Sequence, residues 1–453
     1  MTQDKNVVLV VHAVDTEGPL YESLDATFVR VRELHGITRL PQTRDTLERL
    51  RRGEVDLNGK EAAVQDMLNT HLLSYHEDWT QIDRMLERIM APDFRNQLPD
   101  SFGGGWVFNW HCLDLVGFKA NPRRRALGYH VVFDHYKDAM KWYPDCRDAL
   151  HFHFHPMSTY QEAHRSATSI INSPELWQTV SRRIIEREWF PSAFRAGFHV
   201  ERPDLHWFLE QWIPFDFSNL AVENTADLEK SRDTKNGRGG DWRQAPTDWS
   251  IYQPSHDNYQ VPGNCRRWIA RAQNVMNRYA AIDQHEVDKA FSRAQQGKPT
   301  IMTVTTHDFR DMGAEVDHVR TLIADASARF PDVKFKYCEG VEAFRMALGY
   351  DAAEDQGLEL EVILNPSPEN DLPNMTIRTV KGEVFGPQPW LAIETMGKRF
   401  IHDNLDFGLS GDEWYYVFHD STLPLHDVRR IGIGANDKWG NSFAKVIDVR
   451  ELL

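Results

Sequence analysis

Asn6–Asp15, "NVVLVVHAVD", decides the fold. It is a nearly continuous apolar run, rich in β-branched residues, and strict polar–apolar alternation is missing. A strand wet on one face alternates; a strand buried on both faces does not. The stretch therefore reads as a central strand of a parallel sheet. It ends in "DTEGP", Asp15–Pro19, two carboxylates followed by a Gly-Pro turn. In parallel α/β architectures the loops after strand C-termini carry the chemistry.

Outward from this strand, the same alternation of elements recurs. "QTRDTLERLRR" (42–52) and "DWTQIDRMLERIM" (78–90) have apolar residues at helical spacing. They predict a helical insertion over about 25–100. "GGGWVFNWHC" (103–112) reads as a glycine loop and then a strand. "TIMTVTT" (300–306) is a second buried strand and ends at His307 and Asp308. Helical patterns over 175–189, 202–212, 314–330 and 340–350 alternate with short apolar strands. Strand, polar strand end and helix repeat to about Tyr350, which predicts an α/β fold: a parallel (β/α) barrel over 1–350. Asp351–Gly357, "DAAEDQG", reads as a linker. Beyond it, "LELEVILN", "NMTIRTVKG", "WLAIETMG" and "VRRIGIGAN" run as short strands with turns between them, so 358–453 is expected to be a separate all-β sandwich. The polar, glycine-rich stretch 229–249 reads as a long surface loop or flap.

Composition narrows the function. The 453 residues are 41% hydrophobic and 26% charged, as in a globular protein. A net charge of -15 argues against a nucleic-acid or anionic-membrane partner. No apolar run approaches spanning length. The start "MTQDKNVVLVV" has neither a basic n-region nor a cleavage site, so a cytoplasmic location is the expectation. The four cysteines form no CxxC pair and read as reduced thiols. A homo-oligomer is left open. The 14 tryptophans suit core packing, or stacking on sugar rings.

Chemistry concentrates at "LHFHFHPMS", Leu150–Ser158. On a strand, His151, His153 and His155 would share one face. If the chain turns after Ala149, His151 and His155 converge at i, i+4 instead. Either arrangement suits a zinc-like metal, and either also suits a merely histidine-rich strand edge. Asp15 and Glu17 would leave two charges near a barrel mouth, tolerated if a metal or an arginine neutralises them. One carboxylate and two histidines make a three-ligand hydrolytic site. "FRAGF" places Arg195 among apolar neighbours, where it needs an anion, and the first loop offers one. His307 stands at a strand end, placed for general-acid work. "FDFSN" places Asp216 to orient or tune that histidine.

The order D-x-E, H-x-x-x-H-P, R-A-G-F, D-x-S and a late strand-end His resembles the polysaccharide deacetylase superfamily, the NodB-homology or family-four carbohydrate esterases. "VDTEGP" is similar to that family's T-F-D-D-G-P, with Glu17 where the family usually has Asp. "HFHFHP" matches its H-x-x-x-H-P, "FRAGF" its arginine motif, "VTTHD" its L-x-x-H, and "FDFSN" more weakly its Asp motif. The resemblance covers residues 6 to about 345. It implies a distorted barrel of about seven strands, one divalent metal (zinc or a similar ion), and deacetylation of an N-acetylated sugar or polysaccharide precursor. It implies Asp15 as base, Glu17, His151 and His155 as metal ligands with His153 outside the set, Arg195 holding Asp15, and Asp216 tuning His307 as the acid. Two other readings are a metal-dependent amidase on a non-sugar amide and a non-catalytic carbohydrate-binding pseudoenzyme.

Overall fold

The computed structural model describes residues 6–157, 161, 170–171, 173–224, 240–276, 280–369 and 371–452, the side chain of residue 72 apart. Eight strands build one parallel sheet: β1 Val7–Thr16, β2 Phe108–Leu113, β3 Ala149–Phe154, β4 Ala193–Ala196, β5 Phe215–Asn219, β6 Trp268–Asn274, β7 Thr300–His307 and β8 Lys334–Tyr337. Their order is β2-β3-β4-β5-β6-β7-β1-β8, with β1 also paired to β2. The sheet therefore closes on itself as a seven-stranded barrel with β8 attached outside the ring.

β1 makes this possible by dividing one edge between two partners. Val7–Val10 pairs with Lys334–Tyr337, and His12–Thr16 pairs with Phe108–Cys112. Its other edge is paired to β7 from Val8 to Asp15. All ten residues of β1 are buried, which explains the missing alternation. Val8, Val10 and Val14 pack outward under the helices. Val7, Leu9 and Val11 join Phe215, Phe217 and Ile301 in an interior core. The next inward positions are Ala13 and then Asp15. The interior thus passes from apolar to ionised toward the strand C-termini.

The helical insertion contains six helices between Leu24 and Arg95. Ser23, Thr43 and Asp78 cap three of them by accepting backbone N–H bonds. Phe28, Val31, Leu34, Leu50, Val64 and Met67 form a small core within it. The last long helix, Trp79–Ile89, instead packs Ile82, Met85, Leu86 and Ile89 on the barrel shell.

After the linker come β9 Glu359–Asn365, β10 Asn374–Lys381, β11 Trp390–Thr395, β12 Phe400–Asp403, β13 Asp406–Phe407, β14 Glu413–Val417, β15 Val428–Asn436 and β16 Ser442–Asp448. They form two antiparallel four-stranded sheets, β13-β14-β10-β9 and β12-β11-β15-β16. Met375, Ile377, Leu391, Ile393, Trp414 and Ile431 lie in the core between them. The second sheet also packs its other face on the barrel. Trp390 and Ala392 are fully buried with Phe208, Leu209 and Trp212. Gly432 lets the sheet approach the helix Glu175–Arg187: an added Cβ would lie 2.8 Å from Ile184 and Ile185 side-chain atoms. Asn436 Nδ2 donates to Pro191 O at 2.7 Å and Trp212 O at 2.8 Å. The β module is therefore welded to the barrel through an apolar interface.

Residues 229–239 of the glycine-rich stretch lie outside the described residues. Its described half is anchored by Trp242 and Trp249, 2% and 0% exposed, while Arg243, Gln244 and Asp248 between them are exposed.

Candidate metal centre

The C-terminal ends of β1, β3, β4 and β7 meet at one mouth. Asp15 is level with His307 on one side and His111 on the other. It is 4% exposed. Arg195 grips it, Nε donating to Oδ1 and Nη2 to Oδ2, the latter at 3.1 Å. Arg195 is itself buried and donates from Nη1 to Phe217 O at 3.1 Å and from Nη2 to His199 Nε2 at 2.9 Å. Burial alone would raise the Asp15 pKa. Arg195, then His153 and His307, outweigh it and hold the carboxyl well below its usual range.

Glu17 sits in the loop after β1. Asp308 fixes that loop, accepting from Glu17 N at 2.9 Å, Gly18 N at 2.8 Å and the Tyr136 hydroxyl at 2.9 Å. Arg125 Nη2 donates to Glu17 Oε2. Oε1 is left facing His155 Nε2 at 3.6 Å and His307 Nε2 at 4.0 Å. Burial opposes ionisation of Glu17, but Arg125 and the histidines bring its pKa down to about 2. Both carboxylates are thus anionic, each with its own arginine.

His153 is fully buried, and its Nδ1 donates to Arg195 O at 2.8 Å. A carbonyl only accepts, so this bond puts the proton on Nδ1 and leaves the Nε2 lone pair free to coordinate. His155 Nε2 lies 2.9 Å from that nitrogen, with the rings at 80°. Burial pushes the His155 pKa down to about 3, partly offset by Glu17, so the ring is neutral. Glu17, His153 and His155 bring one ligand atom each within 4.8 Å of one another. Two imidazoles and one carboxylate fit a zinc-like divalent ion.

The i, i+4 pairing of His151 with His155 needs the chain to turn after Ala149. Instead β3 runs straight to Phe154. His151 therefore lies about 6.6 Å further down the same inward face than His153. There its Nε2 is 3.1 Å from Asn109 Oδ1 and 3.2 Å from Glu339 Oε1. The structure gathers His153, rather than His151, with Glu17 and His155.

Asp216 does not approach His307. Its neighbours Phe215 and Phe217 fill the barrel interior, so Asp216 points outward. There it accepts from Arg267 Nη1 at 2.7 Å and from Ser218 N at 2.8 Å. Ser218 Oγ in turn accepts from Ala196 N at 2.8 Å. Asp216 braces the strand that carries Arg195. His307 has Asp15 Oδ2 at 3.6 Å, while Arg310 Nη2 donates to its Nδ1 at 3.2 Å. Burial and Arg310 lower its pKa to about 4 against the pull of Asp15 and Glu17, so it is neutral at rest.

No sequence motif points to Arg125, His199 or Arg310, and the roles of Gly197 and Asp308 emerge only from the geometry. A Cβ on Gly197 would lie 2.3 Å from the His155 ring; only glycine leaves that ring its place. Phe198 and His199 follow with φ of 53° and 52°, a conformation disfavoured for side chains of their size. Gly240 N donates to Phe198 O at 3.1 Å and Trp242 Nε1 to His199 O at 2.8 Å, which holds the turn. Phe198 is 40% exposed and meets His155 edge-on at 5.0 Å.

Neither a protein-family model, nor a curated protein, nor a solved structure matches the chain. Among the described residues no helix is long and apolar enough to cross a membrane.

Proposed function

We propose that this protein is a metal-dependent hydrolase of the polysaccharide-deacetylase type, removing N-acetyl groups from a sugar or polysaccharide precursor. The observation that carries the reading is the pairing of two differently held carboxylates. Asp15 is locked by Arg195 beside, and distinct from, a Glu17–His153–His155 donor set. A hydrolytic metal site needs this division between a ligand and a base.

In this reading Glu17, His153 and His155 hold one divalent ion, zinc or similar. Such an ion polarises an acyl oxygen and makes its bound water acidic. Asp15 accepts the proton of the attacking water. The water oxygen bonds to the acyl carbon, the C–N bond breaks, and acetate leaves. With Arg310 donating to Nδ1, His307 carries its proton on Nε2; that proton would pass to the amine nitrogen, and the one taken up by Asp15, whose Oδ2 is 3.6 Å away, would replace it on Nε2. The four cysteines are unpaired, which suits a reducing, cytoplasmic setting.

The test is acetate release from N-acetylated sugars by metal-loaded protein, run beside metal analysis. Acetate release that stops on chelation and returns with the ion supports the reading. Bound metal with cleavage only of non-sugar amides would replace it with an amidase, and metal-free protein that binds glycans would replace it with a lectin-like role.

A further inference from the structure

On the side of the barrel opposite the metal centre, the β module leaves a cleft of about 1020 Å³. The site described above uses the strand C-termini; this cleft uses Trp268, the first residue of β6, and the linker after the last barrel helix. Its other wall is made by turns of the β module, including Trp439. Domain junctions are where ligand clefts of this size concentrate.

Its chemistry is specific. Trp268 and Trp439 are only partly buried, in a chain that buries Trp106, Trp110, Trp249 and Trp390 almost completely. Partly exposed indoles offer flat apolar faces to a ring with axial C–H groups. Around them stand Glu354, Glu383 and Asp412, all exposed carboxylates; Asp355 and Asp437 also line the cleft but are held by Asn441 Nδ2 and, for Asp437, by Trp439 N. The cations of the lining are fewer, and each is engaged. Lys381 Nζ is 2.7 Å from Glu359, Arg266 is 3.8 Å from Glu210, and Lys438 lies over the Trp439 ring at 5.3 Å. The cleft therefore favours a ligand with ring faces and positive charge, and disfavours phosphorylated or sulfated ones.

We propose that this cleft binds an oligosaccharide bearing free amino groups, with Trp268 and Trp439 on its ring faces and the rim carboxylates on its ammonium groups. It rests on the deacetylase reading for its ligand: removing acetyl groups from a glycan produces such amines. The cleft would then hold the processed part of a chain away from the metal centre.

The experiment is calorimetric titration of the full-length protein with a β-1,4-linked glucosamine oligomer and, separately, its N-acetylated counterpart. The free amine form is expected to bind more tightly. Trp439→Ala should weaken its binding about tenfold. A second variant, Glu383→Lys with Asp412→Lys, changes only exposed side chains and should weaken it about as much. Both variants should release acetate from a monomeric substrate at the unaltered rate. Equal binding of the two oligomers, or binding that neither variant weakens, overturns the proposal. Acetate release that persists in that case leaves the deacetylase reading standing. Cleft-dependent binding without any acetate release supports the cleft and overturns the deacetylase reading instead.

Discussion

Arg195 reaches across the barrel mouth to both carboxylate oxygens of Asp15, and its own carbonyl fixes the tautomer of His153. One residue of β4 therefore sets both the charge of the proposed base and the free nitrogen of a proposed ligand. Arg195→Ala leaves Asp15 buried without its counter-charge, and breaking such a pair costs about 3–5 kcal/mol. Denaturant unfolding should show that loss. Asp15→Asn should instead keep the metal and lose turnover by about 10²–10⁴-fold.

The close approach of Gly197 to His155 gives a second prediction. In Gly197→Ala the new methyl would overlap the His155 ring, 2.3 Å away. The ring must tilt, and metal affinity should fall by about 10–100-fold. Competition with a chelator measures this directly. An unchanged affinity would mean that His155 is not a ligand.

Trp390 joins two bodies. It is fully buried and packs on Trp212 at 4.7 Å and Trp177 at 5.3 Å between ring centres. Trp390→Ala should cost about 3–5 kcal/mol, read from the midpoint of denaturant unfolding. A fragment of residues 358–453 alone would expose this indole, so it should bind a hydrophobic dye that the full chain does not.

His402 makes the same interface sensitive to acid. It lies 3.9 Å from Trp390, and burial pushes its pKa down to about 4, against a modest pull from its bond to Leu391 O. Unfolded, it titrates near 6.5. Between those values the unfolded chain holds a proton that the folded one refuses. The stability it contributes is whole above about 6.5 and is lost as the pH falls toward 4. His402→Phe should flatten the fall in stability over that window.

Much of this was legible in the sequence, and the failures have physical causes. The unbroken apolar run of β1 betrayed a strand buried on both faces, and so the barrel. The change of period after Gly357 betrayed the β module, although not that Trp390 and Ala392 turn its second face to the barrel. Asp15 with Arg195 was readable because a buried guanidinium needs an anion. The histidines turn on where β3 ends: if it stops at Ala149, His151 and His155 converge, and if it runs to Phe154, His153 and His155 do. Asp216 failed on parity, since one step along a strand reverses the face. Arg125, His199 and Arg310 come from loops that no local pattern brings to the mouth.

Glu17, His153 and His155 are proposed to form a metal centre served by Asp15. Metal stoichiometry of purified His151→Ala, His153→Ala and His155→Ala tests it most directly. With such a centre, His153→Ala and His155→Ala should lose the ion while His151→Ala retains it. Loss in His151→Ala with retention in His153→Ala would contradict it.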